Sequence, residues 1–180
     1  MPNKTVYSDC PTELSEGQLA SYWNEGFLAF ENALSPEEVA EARQGLSDIF
    51  RSYAFNEDVA EYRPGTSDKT NYAGASFKSK TSECFVILEP GYEPNPDNLD
   101  ELELKVRKAA YFQDEAAIFK KLYTSHPKVM GIVKSILGQA VELYQSMALV
   151  KPPEGGTEKP WHQDNAYFSV ENMDKVLGIW

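Results

Sequence analysis

The feature that most constrains this chain is a change of hydrophobic period near Gly138. Before it, apolar residues recur at the spacing of one helix face. After it, "AVELYQSMALVKPP" alternates polar and apolar side chains, the period of a half-buried strand, and Pro152-Pro153 closes the run. A chain of this kind predicts helices first and antiparallel strands second. Its fold class is therefore α+β, with a helical part over about 1–138 and strands over about 139–180 of one domain.

The helix ends carry their own punctuation. "SEGQLASYWNEG" opens on Ser-x-x-Gln, keeps helical spacing through Trp23 and stops at Gly26, after which "FLAF" reads as a short strand. "LSPEEVAEARQGLSDIFRSY" is the clearest helix: Ser35 caps it, Pro36 sits in the first turn, and Glu37 and Glu38 suit the positive end of the dipole. Val39, Leu46, Ile49 and Phe50 form its apolar stripe. Residues 55–82 are polar and aperiodic, which predicts a long loop. "CFVILEP" predicts a buried strand ended by Pro90, and "GYEPNPDNLD" a loop. From 101 to 138 the spacing predicts helix in at least two pieces, "DEAAIFKKLYTS" and "HPKVMGIVKSILG", the second capped at its end by Gly138. Beyond the alternating strand, "EGGTEK" reads as a turn or loop, and "AYFSV" and "VLGIW" as further strands. No internal repeat or low-complexity stretch is present.

Composition narrows the partners. A net charge of −11 and a pI near 4.7 argue against a nucleic-acid backbone or an anionic membrane surface, although a local basic pocket is compatible with both numbers. No apolar run approaches the roughly 18 residues of a membrane span. The N-terminal "MPNKTVYSDCPTEL" has no signal-peptide core, and Cys10 and Cys84 match neither a zinc spacing nor a disulfide framework. These readings predict a cytoplasmic protein.

The chemistry concentrates in "PWHQDNAYF", residues 160–168. Of the two histidines in the chain, His162 stands two residues before Asp164. On a strand, positions i and i+2 face the same side, so an imidazole nitrogen and a carboxylate oxygen can address one ion. They are two members of the facial triad that leaves three positions on iron(II) open. The competing reading is a partly buried histidine held by its neighbour carboxylate. His126 precedes Pro127 at a helix start and reads as a cap.

The wider stretch "MALVKPPEGGTEKPWHQDNAYF" resembles the region around the first two iron ligands of the phytanoyl-CoA dioxygenase family. The likeness includes Met-x-x-x-Lys-Pro-Pro, the glycine-bearing loop and Trp-His-Gln-Asp. It extends upstream through "KAAYFQDEAAIF" and "YWNEGFLAFENALSPEEVAEAR", and downstream to "VLGIW". The resemblance implies an iron(II)- and 2-oxoglutarate-dependent dioxygenase on a double-stranded β-helix (jelly roll). It would hydroxylate a small organic substrate with dioxygen while 2-oxoglutarate becomes succinate and carbon dioxide. By the same resemblance His162 and Asp164 are metal ligands, and Lys108, Met147, Gln163 and Trp180 line the cosubstrate site. Pattern alone reads Lys108 as a solvated helix charge, and Met147 and Trp180 as apolar filler. Asp164 favours hydroxylation over halogenation, which in the family goes with a small residue in place of the carboxylate.

The family's second histidine ligand and its cosubstrate arginine lie well downstream of the His-x-Asp, and no residue follows Trp180. The expectation is an N-terminal portion of an oxygenase, incomplete at the C-terminus and inactive by itself, with open strand edges. Two other readings remain: a non-enzymatic β-helix protein, with or without a metal, and a cupin-like zinc or manganese enzyme.

Overall fold

The computed structural model describes residues 5–65, 74–152, 158–168 and 170–180. The chain divides into two compact units. The first gathers 1–38, 121–143 and 160–180; the second gathers 39–120 and 144–159.

In the first unit, β1 (Val6–Tyr7) pairs in parallel with β2 (Ala29–Phe30), and the Tyr7 and Phe30 rings stack 5.4 Å apart. Helix α1 (Glu16–Glu25) begins with the reciprocal capping box of Ser15 and Gln18 and ends at Gly26 with φ 81°, a left-handed conformation that glycine adopts without penalty. Helix α5 (Pro127–Leu137) is entered through His126, whose Nδ1 accepts from the Val129 N–H at 3.1 Å. The backbone of residues 12–14 lies directly on this helix. A Cβ at Gly131 would stand 1.8 Å from the Thr12 carbonyl oxygen, and the Leu14 N–H donates to Ser135 Oγ at 3.1 Å.

Helix α2 (Pro36–Tyr53) carries the division between the units in its first turn. That turn is a capping box: the Glu38 N–H donates to Ser35 Oγ at 3.2 Å, and the Ser35 N–H donates to Glu38 Oε2 at 3.0 Å. The same carboxylate accepts from Lys121 Nζ at 2.7 Å and faces His126 Nε2 at 3.4 Å. Of the apolar stripe, Ile49 and Phe50 are buried, whereas Val39 is exposed.

The second unit is built on an antiparallel sheet of five strands in chain order: β3 (Ala60–Arg63), β4 (Ser76–Ser79), β5 (Phe85–Leu88), β6 (Val106–Ala110) and β7 (Met147–Leu149). One face is core: Phe77, Val86, Leu88, Val106 and Ala109 are essentially inaccessible. The side chains of Ser76, Phe85, Ile87 and Lys108 on the opposite face are half-buried. Two further helices belong here, α3 (Leu99–Leu104) and α4 (Ala117–Thr124), the latter running to the boundary. Gly45 of α2 lets Phe119 of α4 approach to 3.1 Å of where a Cβ would stand.

The α+β class is what the elements give, and several boundaries are corrected. Residues 55–82 are not one loop: β3 and β4 lie there, and their register carries Ala60 opposite Ser79 through Arg63 opposite Ser76. The segment 101–138 is not helical throughout. "VRKAA" forms β6, held between β5 and β7. The alternating run after Gly138 contributes only Met147–Leu149 as strand. "NAYF" is a short helix, α6 (Asn165–Phe168), in place of a strand, and "VLGIW" forms none. The loop expected at 154–159 lies outside the described residues except for Glu158 and Lys159. The strands follow one another as a meander; among the described residues the crossed strand order of a jelly roll does not occur.

Candidate functional site

His162 and Asp164 do not sit on a strand. They occupy the irregular approach to α6, where the Asp164 carbonyl accepts from the Tyr167 N–H at 2.9 Å and so begins the helix. A turn, rather than strand alternation, brings the two side chains face to face, with His162 Nε2 at 3.1 Å from Asp164 Oδ1. The edge of the pair is flanked by Tyr167, whose ring centroid is 5.9 Å from the imidazole at 86°.

The hydrogen bonding fixes which nitrogen is available. Nδ1 lies 2.8 Å from the Pro160 carbonyl oxygen, which can only accept, so Nδ1 carries the proton. Nε2 then turns a lone pair toward a carboxylate oxygen. Two acceptors at 3.1 Å repel unless a proton or a cation lies between them. Two donors at right angles on one metal ion, each about 2.1 Å away, stand about 3.0 Å apart. The pair therefore fits two adjacent positions of a metal ion, and the Pro160 contact is the kind of outer bond that orients a ligating imidazole. Among the described residues no group of three or more His, Cys, Asp or Glu side chains is arranged to hold a metal ion.

The other histidine and the buried Cys84 are engaged elsewhere. His126 is 3% exposed and spends Nδ1 on capping α5. Cys84 is fully buried, and that burial pushes its thiol up to about 11, so it stays protonated and is a poor ligand.

Gln163 is exposed between the paired residues, and Trp180 is 93% exposed, so in the described unit it walls off no pocket. Lys108 and Met147 belong to the second unit and meet there across one sheet face. Lys108 lies opposite Leu149, and Ala110 opposite Met147. Directly paired residues share a face, and so do residues two apart, which puts Lys108 and Met147 on the same side as diagonal neighbours.

Lys108 is the correction with most consequence: it is the middle of β6, not a helix charge. Its Nζ stands 5.7 Å from the centroid of the Phe85 ring. Burial pulls its pKa down, with Lys159 and Arg107 nearby adding to the shift. Among the described residues no carboxylate forms a salt bridge with it, so an incoming anion would relieve the strain of a desolvated, crowded cation. The role of Phe85 escaped the sequence reading, since Phe85 meets Lys108 only through the β5–β6 register.

The family model for phytanoyl-CoA dioxygenase matches residues 22–180. Phytanoyl-CoA dioxygenase domain-containing protein 1 of Mus musculus is 26% identical over 179 residues, which cover 93% of this chain and 59% of that protein. The peroxisomal phytanoyl-CoA dioxygenase of Bos taurus is 24% identical over 182 residues, 99% of this chain and 45% of its own length. Phytanoyl-CoA dioxygenase of Arabidopsis thaliana is 22% identical over 167 residues, 93% and 58% respectively. The chain thus spans between about two fifths and three fifths of the relatives it matches. No solved structure matches it significantly. With its match running from the last turn of α1 to the final residue, the chain belongs to the phytanoyl-CoA dioxygenase family.

Proposed function

We propose that the protein is an iron(II)- and 2-oxoglutarate-dependent dioxygenase that hydroxylates a small organic substrate, on the double-stranded β-helix its family implies. The observation that carries this reading is the His162–Asp164 pair: one imidazole nitrogen tied to Pro160, the other open and 3.1 Å from a carboxylate oxygen. In the reading, His162 and Asp164 hold the metal, and the metal, when bound, supplies dioxygen activation. Lys108 attracts a cosubstrate carboxylate as a point charge, Met147 offers an apolar wall beside it, and the family likeness assigns Gln163 and Trp180 to the cosubstrate as well. The buried, free Cys10 and Cys84 suit a reducing compartment such as the cytoplasm. No helix among the described residues is long and apolar enough to cross a membrane.

Metal and product measurements test the proposal on the longest product of the gene. The protein should bind one iron(II) per chain and release succinate from 2-oxoglutarate, and His162→Ala or Asp164→Ala should abolish both. Unchanged iron stoichiometry and succinate yield in those variants would overturn the assignment. A second reading rests on the same 3.1 Å approach, which a proton between His162 Nε2 and Asp164 Oδ1 accounts for as well as an ion does. It is a non-enzymatic protein in which a proton takes the place of the ion between His162 and Asp164. Such a protein yields no succinate at any iron concentration.

A further inference from the structure

The strands that carry Lys108 and Met147 are joined by only three register pairs, Lys108 with Leu149, Ala109 with Ala148 and Ala110 with Met147. A strand so short and at a sheet edge has little to fix its register. A slip of one residue would turn Met147 to the opposite face. At one end the ladder continues by a single backbone bond, from the Val150 N–H to the Arg107 carbonyl at 3.1 Å, beside the bulge where β5 and β6 shift register. At the other end three contacts converge on Ser146. The Tyr111 N–H donates to the Ser146 carbonyl at 2.9 Å. The Phe112 N–H donates to Ser146 Oγ at 2.9 Å, and the Ser146 hydroxyl donates to Gln113 Oε1 at 2.7 Å. Tyr111 has φ 57°, so the chain turns sharply out of β6 just where this serine receives it. The hydroxyl donates its one O–H to Gln113 Oε1, which turns its lone pairs toward the Phe112 N–H.

We propose that Ser146, oriented by Gln113, is a positioning residue: it locks β7 in register so that Met147 and Lys108 are presented side by side to 2-oxoglutarate. This rests on the reading above, in which those two residues touch the cosubstrate. Backbone pairing alone does not distinguish one register from the next, because every residue offers the same N–H and C=O. The Ser146 hydroxyl does distinguish them, since a slipped strand would bring Met147 or Gln145 to the Phe112 N–H.

The test compares Ser146→Ala, Ser146→Thr, Gln113→Ala and Lys108→Ala. Calorimetric titration with 2-oxoglutarate, under anaerobic iron(II), gives cosubstrate affinity without turnover, and amide hydrogen exchange follows the Phe112 N–H. Ser146→Ala should weaken 2-oxoglutarate about tenfold and speed exchange at Phe112, with iron affinity unchanged. Ser146→Thr, which keeps the hydroxyl, should restore both, and Gln113→Ala should fall between. Ser146→Ala binding 2-oxoglutarate as the unaltered protein does, while Lys108→Ala binds it weakly, overturns the positioning role and leaves the proposed function standing. Lys108→Ala without effect, or an unaltered protein that does not bind 2-oxoglutarate, overturns the underlying reading and this inference with it. Should Ser146→Ala not fold, Gln113→Ala decides: weaker cosubstrate binding at an unchanged melting temperature supports the role, and unchanged binding overturns it.

Discussion

Glu38 gathers three partners onto one carboxylate, and its titration should be visible in stability. The hydrogen bond from Lys121 is the largest cause that pulls its pKa down to about 2, with the Ser35 N–H next and burial opposing. The ordinary value of 4.5 applies to the unfolded chain, which therefore binds the proton more readily than the folded one. The carboxylate's contribution is thus complete above about 4.5 and is lost as pH falls toward about 2. Glu38→Gln should lower the melting temperature at pH 7, and the two proteins should converge near pH 2; a constant gap across that window would assign the cost to something other than the charge. Lys108→Ala, if Lys108 meets a carboxylate in a partly dry site, should raise the 2-oxoglutarate Michaelis constant about tenfold to a hundredfold, equivalent to about 1.5–3 kcal/mol. Lys108→Arg should rescue in part only, because a planar fork replaces a compact ammonium. Caps such as Ser15, Ser35 and His126 were legible in the sequence because capping is settled within three or four residues of the cap. The surroundings of Lys108 were not, because Phe85 lies 23 positions away along the chain and adjacent across the sheet.

At the scale of elements, the errors share a cause. "VRKAA" is rich in residues with good helix propensity, yet it is a strand because β5 and β7 pair with it on both sides. "AYFSV" reads as strand by its aromatics, and the turn at Asp164 starts a helix there instead. β3 and β4 are hidden in a polar stretch because β3 is largely exposed and its pairing, not its composition, makes it a strand. The candidate residues were therefore read in the wrong setting: the His-x-Asp pair faces itself on a turn, and Lys108 is on a strand. Among the helices, α5 makes the sharpest prediction. Gly131→Ala would drive a methyl group into the Thr12 carbonyl and should cost about 1–3 kcal/mol or more. Gly17→Ala, in α1 with open space around it, should be neutral or slightly stabilising. Thermal melts of the two variants measured together check the pair; equal melting temperatures would mean residues 12–14 do not rest on α5 as described.

For the molecule as a whole, the chain displays more apolar surface than its charge suggests. Trp161, Tyr167 and Trp180 are exposed in the first unit, and Met147 and Tyr144 in the second. Against a net charge of −11, these side chains should still drive association at micromolar concentration, and more so in high salt, where repulsion is screened. Sedimentation should show species heavier than 20.2 kDa; a monodisperse monomer in both low and high salt would mean that these rings remain solvated.

The passage of Thr12 over Gly131 also sets an order in time. The Leu14–Ser135 bond closes a loop of 121 residues, and the first unit takes its parts from both sides of 39–120. During synthesis the hairpin of β4 and β5 and the strand β6 are complete before α5 exists to receive the N-terminal segment. The second unit can therefore begin to fold from near neighbours while residues 12–14 wait, unpartnered, for a helix made more than a hundred residues later. A ribosome stalled so that residue 120 has just cleared the exit tunnel should hold a nascent chain whose central strands already resist protease and whose first fourteen residues are still cut.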